Sequence, residues 1–173
     1  MQILLAPQVI KDLKRELRRA GRREIGGLLM GEHIADELFR VVDISIQRAG
    51  GTDAYFTRCP RDHRAKLERF FAETNNDYSR FNYLGEWHSH PSFQAAPSET
   101  DLRTMQSIVE DPEVGVNFLI LLVCKRGAGD ALEASATAFR ALNEPFAVTL
   151  AIEAETGIQT ATLGQRFLRF CGL

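Results

Sequence analysis

Cysteine is scarce in this sequence, and the three present, Cys59, Cys124 and Cys171, are odd in number and without the spacing of a metal-binding set. No secretory segment is read at the start, where the apolar stretch up to Pro7 is short and is followed at once by Lys11, Asp12 and Lys14. The expectation is therefore a cytoplasmic protein without a disulfide framework. No apolar run approaches the ~18 residues of a membrane helix, so no membrane partner is expected. An excess of positive charge is also missing: 21 Lys and Arg face 23 Asp and Glu, a net charge of −2, which leaves no global basic field to hold nucleic acid by its phosphates. The basic run from Arg15 to Arg23 alternates with apolar residues at helical spacing and reads as a solvated helix face. Internal repeats and low-complexity linkers are absent.

What is present suits one globular domain: 173 residues, 45% hydrophobic and 25% charged, enough apolar surface to bury a core. After a short apolar start at Gln2 to Ala6, Pro7 suits the first turn of a helix. Val9, Ile10, Leu13 and Leu17 make its stripe and Gly21 its stop. Residues 24–31 read as a glycine-bearing buried strand, and 38–46 as a second with Val42, Ile44 and Ile46 on one face. Gly50-Gly51 opens a loop to a short extended piece at 55–58, and Pro60 starts a helix with Leu67, Phe70 and Phe71 inward. Residues 81–90 alternate as a strand. Ser98 is a good N-cap for a third helix carrying Leu102, Met105 and Val109, with Pro112 just past its end. Phe118 to Cys124 is a continuous apolar run, a strand buried on both faces. Two more strands follow at 131–140 and 146–153, the second with Phe146, Val148, Leu150 and Ile152 on one face. Strands outnumber helices and are partly hairpin-connected, which predicts an α+β fold: a single domain over residues 1–173 with its core in about 1–153, a central mixed β-sheet flanked by helices.

The chemistry gathers at His88 and His90. Two apart on a strand, both imidazoles project from one face and can reach one ion, while Ser89 points the other way. Alone, His-x-His is a weak signal. The chain then turns at Pro91 and enters a helix whose first turn carries Asp101, a third ligand candidate. Two imidazoles and a carboxylate leave a fourth tetrahedral position for water, the arrangement of a catalytic zinc site. Ser98 and Asp101 also read as a capping box, and the two readings are compatible because the helix dipole favours a first-turn carboxylate. A general base is needed beside a metal-bound water, and Glu24, at the start of the glycine-bearing strand, is the candidate. Glu86 shares the histidine face of its strand and competes for that role, or serves as a partner to an imidazole N–H. His33 and His63 stand alone on segments read as surface and are expected to be ordinary polar residues.

Glu24 followed by Ile-Gly-Gly-Leu-Leu-Met-Gly, then His88-Ser89-His90-Pro91, then Ser98 and Asp101 at their spacing, resembles the JAB/JAMM (MPN-domain) metalloprotease motif in every position. The resemblance covers about residues 1–153. Gly85-Glu86-Trp87-His88-Ser89-His90-Pro91, with the Gly50-Gly51 loop leading to Phe56-Thr57-Arg58 and a Pro-Arg-Asp helix start, is similar more loosely to a bacterial branch. That branch is found in antiphage operons which also encode ubiquitin-activating and ubiquitin-conjugating-like proteins. The resemblance implies an MPN fold with cytidine-deaminase-like layering, and one zinc per chain held by His88, His90 and Asp101. It also implies Glu24 as general base and Ser98 as a hydroxyl donor to the oxyanion. The implied activity is that of a deubiquitinase-like isopeptidase cleaving after the C-terminus of a ubiquitin-like protein, either in its precursor or in conjugates. Gly26 and Gly27, bare beside the base, would let an extended peptide lie close as an added strand. Two rivals of the same fold remain open, a metalloprotease that processes sulfur-carrier proteins and a non-catalytic MPN scaffold, and a third reading, an unrelated metal-binding module using only His-x-His, predicts no role for Glu24. Modifier, target and oligomeric state are not readable from the sequence.

Overall fold

The computed structural model describes residues 1–52 and 59–153; the extended piece expected at 55–58 and the tail from Thr156 lie outside the described residues. The elements are β1 (Gln2–Leu5), α1 (Pro7–Ala20), β2 (Gly26–Ala35), β3 (Leu38–Ile44), α2 (Pro60–Glu73), β4 (Phe81–Ser89), α3 (Glu99–Glu110), β5 (Leu119–Arg126), β6 (Leu132–Phe139), β7 (Phe146–Ala147) and β8 (Thr149–Ile152). The expected α+β class with a central mixed sheet is what forms. Helix α1 starts on Pro7 and stops at Gly21, whose φ of 65° lets its N–H reach Leu17 O at 3.2 Å. Such a left-handed turn is the usual use of glycine at a helix end.

The eight strands lie in the order β7-β6-β5-β4-β2-β3-β1-β8. Pairs β1–β3, β1–β8 and β4–β5 are parallel and the rest antiparallel. The two outermost strands, β7 and β8, are separated in sequence by Val148 alone. One residue cannot cross a flat eight-stranded sheet, whose strands stand about 4.8 Å apart. The sheet is therefore curled until its edges meet, with Val148 N–H donating to Ala136 O at 3.1 Å and Thr149 N–H to Met1 O at 3.3 Å. The single strand expected over 146–153 is thus two short strands on opposite edges, because the alternation runs unbroken through the residue where pairing changes.

Helix α1 fills the concave side. Its Val9, Leu13 and Leu17 share one cluster with Ile3, Leu29, Trp87, Leu122 and Leu150, residues from five strands. Strand β6 gives that cluster Ala134, Ala136 and Ala138, small side chains that let the curled sheet close on the helix. The outer face is covered by the other two helices. Met105 and Val109 of α3 pack on Leu119, Leu121, Val123 and Phe139, while Phe70 of α2 meets Phe81 edge-on at 6.3 Å.

Three expectations are corrected here. Of Val42, Ile44 and Ile46, expected on one face, Ile44 and the partly buried Ile46 pack on the core but Val41 takes the place of Val42, because the pairing with β2 shifts between Met30 and Gly31 and an extra residue resets the alternation. His63, expected on the surface, lies on the inner side of α2 and is 1% exposed. The Arg15–Arg23 stretch is not a purely solvated face, since Glu16 within it is fully buried.

Glu16 accepts from Arg19 at 2.9 Å, from Arg48 on the loop after β3 at 2.8 Å, and from Arg15 at 3.2 Å. Burial pushes its carboxyl up, but the hydrogen bonds and charges of these arginines outweigh that and hold it below the usual carboxylate value. A depressed carboxyl contributes stability above its unfolded value of about 4.3 and loses it as pH falls through the folded value. Glu16→Gln should therefore cost about 1–2 kcal/mol in urea unfolding at neutral pH, since the arginines are partly solvated. The gap to wild type should narrow as the pH is taken down through about 4; a gap that widened in acid would remove the ionised Glu16 from this account.

Candidate metal centre

His88 and Gly26 face each other across the antiparallel β2–β4 pair, and β4 runs on in parallel beside β5, with His88 opposite Val123. Val123 belongs to the cluster under α3, and Cys124 and Trp87 to the cluster around α1. His88 thus projects toward α3 and Ser89 toward α1, the split expected from strand alternation. Ser89 is used on its own side: its Oγ accepts the Ile25 N–H at 3.0 Å, and its N–H donates to Ile25 O at 2.8 Å. His90 lies just past the strand, fixed by its N–H on Cys124 O at 2.9 Å. Both histidines are 8% exposed.

Helix α3 delivers the third residue. Its capping box is complete: Asp101 N–H donates to Ser98 Oγ at 3.2 Å, and Asp101 Oδ2 accepts from the Ser98 N–H at 2.7 Å and from the Ser98 hydroxyl at 2.6 Å. The cap turns the carboxylate inward. Asp101 Oδ2 stands 3.5 Å from His88 Nε2 and 3.6 Å from His90 Nε2, and the two imidazole nitrogens are 3.1 Å apart. A tetrahedral ion with bonds of about 2.0–2.1 Å spaces its donor atoms about 3.3–3.4 Å apart, so these three distances match the edges of one tetrahedral face. Two nitrogens, one oxygen and a fourth position form the donor set of a catalytic zinc site, and the residues fit a zinc ion.

The surroundings prepare the donors. His90 Nδ1 is 3.1 Å from Gln94 O; a carbonyl only accepts, so the ring proton sits on Nδ1 and the Nε2 lone pair faces the centre. Burial, then the neighbouring His88, hold the His90 imidazole below its ordinary value, outweighing its hydrogen bonds to Gln94 and Ala96 and the charge of Asp101. Burial would raise the Asp101 carboxyl, but hydrogen bonds from His88 and Ser98 hold it well below the usual carboxylate range. Both groups are therefore in their ligating forms at neutral pH.

Glu24 is 4% exposed and lies two residues before Gly26 on the approach to β2. Alternation along an extended run carries it to the face of Gly26 and His88. Glu86 is half-buried and lies 3.5 Å from the Tyr83 hydroxyl, which donates to it. The space left by Gly27 is not open to a peptide, contrary to the sequence expectation: a Cβ there would meet Ser45 O at 2.0 Å, and the same carbonyl accepts from Trp87 Nε1 at 2.9 Å.

A family model described as prokaryotic homologs of the JAB domain matches residues 6–141. The chain belongs to the prokaryotic JAB domain family. Among curated relatives of this JAB domain is a CD-NTase/cGAS isopeptidase from Enterobacter hormaechei subsp. hoffmannii (strain UCI 50), 28% identical over 111 residues, 64% of this chain. The match spans 60% of that relative's length. Among solved structures, protein DSY2949 from Desulfitobacterium hafniense superposes with a TM-score of 0.63 at 18% identity, covering 88% of this chain and 94% of that one, a likeness of fold.

Sequence reasoning did not find Gln94, which acts through its backbone carbonyl and so leaves no side-chain signature. It also missed the buried polar residues Ser45, Gln47 and His63, whose spacing carries no motif. For the centre itself, metal analysis should give one zinc per chain, and His88→Ala should abolish it. Because the His90 imidazole is lowered, protons should displace zinc only below the ordinary imidazole value of about 6.5. Zinc loss that began on the alkaline side of that value, followed by metal occupancy against pH, would contradict this arrangement.

Proposed function

We propose that this JAB domain is a zinc-dependent isopeptidase that hydrolyses the bond after the C-terminal residue of a ubiquitin-like protein, processing its precursor or releasing it from conjugates in a bacterial antiphage pathway in the cytoplasm. The observation that carries the reading is the tetrahedral spacing of His88 Nε2, His90 Nε2 and Asp101 Oδ2, and the buried acid Glu24 two residues before Gly26, the partner of His88, supports it. Family membership and the isopeptidase name of the Enterobacter relative support the reaction class. On that relative's printed name, a CD-NTase is the first conjugated target to test.

In this reading His88, His90 and Asp101 hold one zinc ion, which when bound supplies a Lewis acid for the scissile carbonyl and a water of lowered pKa. Glu24 takes the proton of the attacking water and returns it to the departing amine. Ser98 lies beside the ligand oxygen and offers its hydroxyl to the developing oxyanion once that group turns from Asp101. Gln94 holds the His90 ring in the orientation its ligand nitrogen needs.

Glu24→Gln is nearly isosteric and leaves all three ligands in place. It should retain the fold and one zinc, yet lower turnover of a ubiquitin-like fusion or conjugate by about 10²–10⁴-fold, the usual contribution of a positioned acid/base group. Zinc loss in that variant would make Glu24 a ligand. Undiminished turnover with zinc bound would take Glu24 out of the mechanism and pass the role to Glu86. A wild-type protein that cleaves only small sulfur-carrier precursors, or nothing while loaded with zinc, would favour the two rival readings in turn.

A further inference from the structure

The chain beyond β3 does not leave the sheet directly for α2. Gln47 first forms a two-way bridge with Gly26, its N–H donating to Gly26 O at 2.7 Å and its carbonyl accepting from Gly26 N–H at 3.4 Å. The chain bends at Gly50, with φ of 84°, and comes back so that Thr52 O accepts the Glu24 N–H at 2.6 Å. Between these points Gly51 lies directly on the peptide of Glu24. A Cβ at Gly51 would stand 1.9 Å from Glu24 O and 2.9 Å from its carbonyl carbon. Both are backbone atoms, so no rotamer change could relieve the overlap. Residues 47–52 therefore touch the main chain of the proposed base on both sides, at Gly26 and at Glu24 itself.

This segment is held from behind by buried side chains. Gln47 Nε2 donates to Ala49 O at 2.8 Å, while its Oε1 accepts from Cys59 N–H at 2.6 Å and lies 3.1 Å from His63 Nε2. His63 Nδ1 is 2.7 Å from Ser45 Oγ, which accepts the Leu28 N–H at 2.7 Å. One order of donors satisfies the whole chain: Leu28 N–H to Ser45, Ser45 O–H to His63 Nδ1, and His63 Nε2–H to Gln47. Buried networks satisfied in this way are stiff. Arg48 ties the same segment to α1 through Glu16 at 2.8 Å.

We infer that Gln47–Thr52 is the positioning element for Glu24, with the bare backbone of Gly51 setting where the acid sits and Gln47, held by His63, fixing the element. The inference rests on the reading of Glu24 as general base and assigns the segment no contact with metal or substrate. A misplacement of about 1 Å in a catalytic group can cost about 10²-fold, so the effect should appear in kcat with little change in KM.

The test is a double-mutant cycle on the zinc-loaded protein with a ubiquitin-like fusion as substrate. Gly51→Ala is expected to keep one zinc and the wild-type KM and to lose about 10–100-fold in kcat. In a Glu24→Gln background the same substitution should cause almost no further loss, because its effect passes through the acid already removed. Gln47→Ala, which removes the supporting bonds without a clash, should show the same pattern at smaller size and carries the test alone if Gly51→Ala does not fold. Zinc loss, a raised KM, or a loss that multiplies with that of Glu24→Gln would overturn the assignment. So would a fully active Gly51→Ala in a protein that Glu24→Gln inactivates. A Glu24→Gln protein as active as wild type would instead refute the general-base reading.

Discussion

The register of β2 against β4 is the constraint on which the site depends. Gly26 opposite His88 and Gly27 opposite Trp87 place one imidazole toward α3 and the indole toward α1. Side chains alternate with a period of two, so a slip of one residue would drive His88 into the apolar cluster around α1 and turn Trp87 outward. Several contacts oppose such a slip. Gly27 and the indole N–H both meet the single carbonyl of Ser45. Gly85, at φ of 142°, lies where a Cβ would stand 2.0 Å from Ile120 O, so β4 and β5 approach closely only in this alignment. Ser89 locks the end of the pair through two bonds to Ile25. Nearly all of this is backbone geometry, which explains why glycines cluster before and within the strands that carry the chemistry.

The same tight packing sets the protonation of groups near the centre. Cys124 lies in β5 beside the histidine strand, fully buried, with its Sγ 3.7 Å from His88 O. Burial pushes its thiol up to about 12, so no thiolate forms at neutral pH and sulfur competes neither as nucleophile nor as ligand. Burial acts in the opposite sense on the imidazole of His90, favouring its neutral form. One physical cause, removal of water, thus silences the soft nucleophile and readies the nitrogen donor.

Much of the fold was legible because alternation and helix punctuation are strong along this chain: Pro7 and Gly21 bound α1, Ser98 caps α3, and the apolar run of β5 marks a strand covered on both faces. What was not legible depended on events between strands. The bulge that substitutes Val41 for Val42 arises from pairing with β2, and the division at Val148 from closure of the sheet. Local pattern records neither. For the candidate centre, the grouping of the histidine pair with Asp101 was legible because a set of residues that could hold a metal needs particular side chains at particular spacings. His63 was not: a lone histidine on a polar helix has no pattern to distinguish it, and only the fold shows that its ring closes a buried chain between Ser45 and Gln47.

Asp101 brings the folding and chemical requirements onto one atom. Its Oδ2 accepts from the Ser98 N–H and from the Ser98 hydroxyl, and is also the carboxylate oxygen aimed at the two imidazoles. An oxygen already receiving two donors is a less generous ligand than a bare carboxylate, but it is held in place before any ion arrives, so little side-chain entropy is lost on binding. A cation at the centre would draw electron density from Oδ2 and weaken the bond it accepts from the Ser98 hydroxyl, while the Ser98 N–H and the helix dipole keep the carboxylate in position. The hydroxyl proton can then rotate toward another acceptor while Ser98 Oγ still accepts the Asp101 N–H and the cap of α3 stays closed. In the proposed reading the cap need not be given up for Ser98 to serve an oxyanion: the Ser98 N–H and Oγ keep both reciprocal bonds of the capping box, and only the hydroxyl proton changes partner.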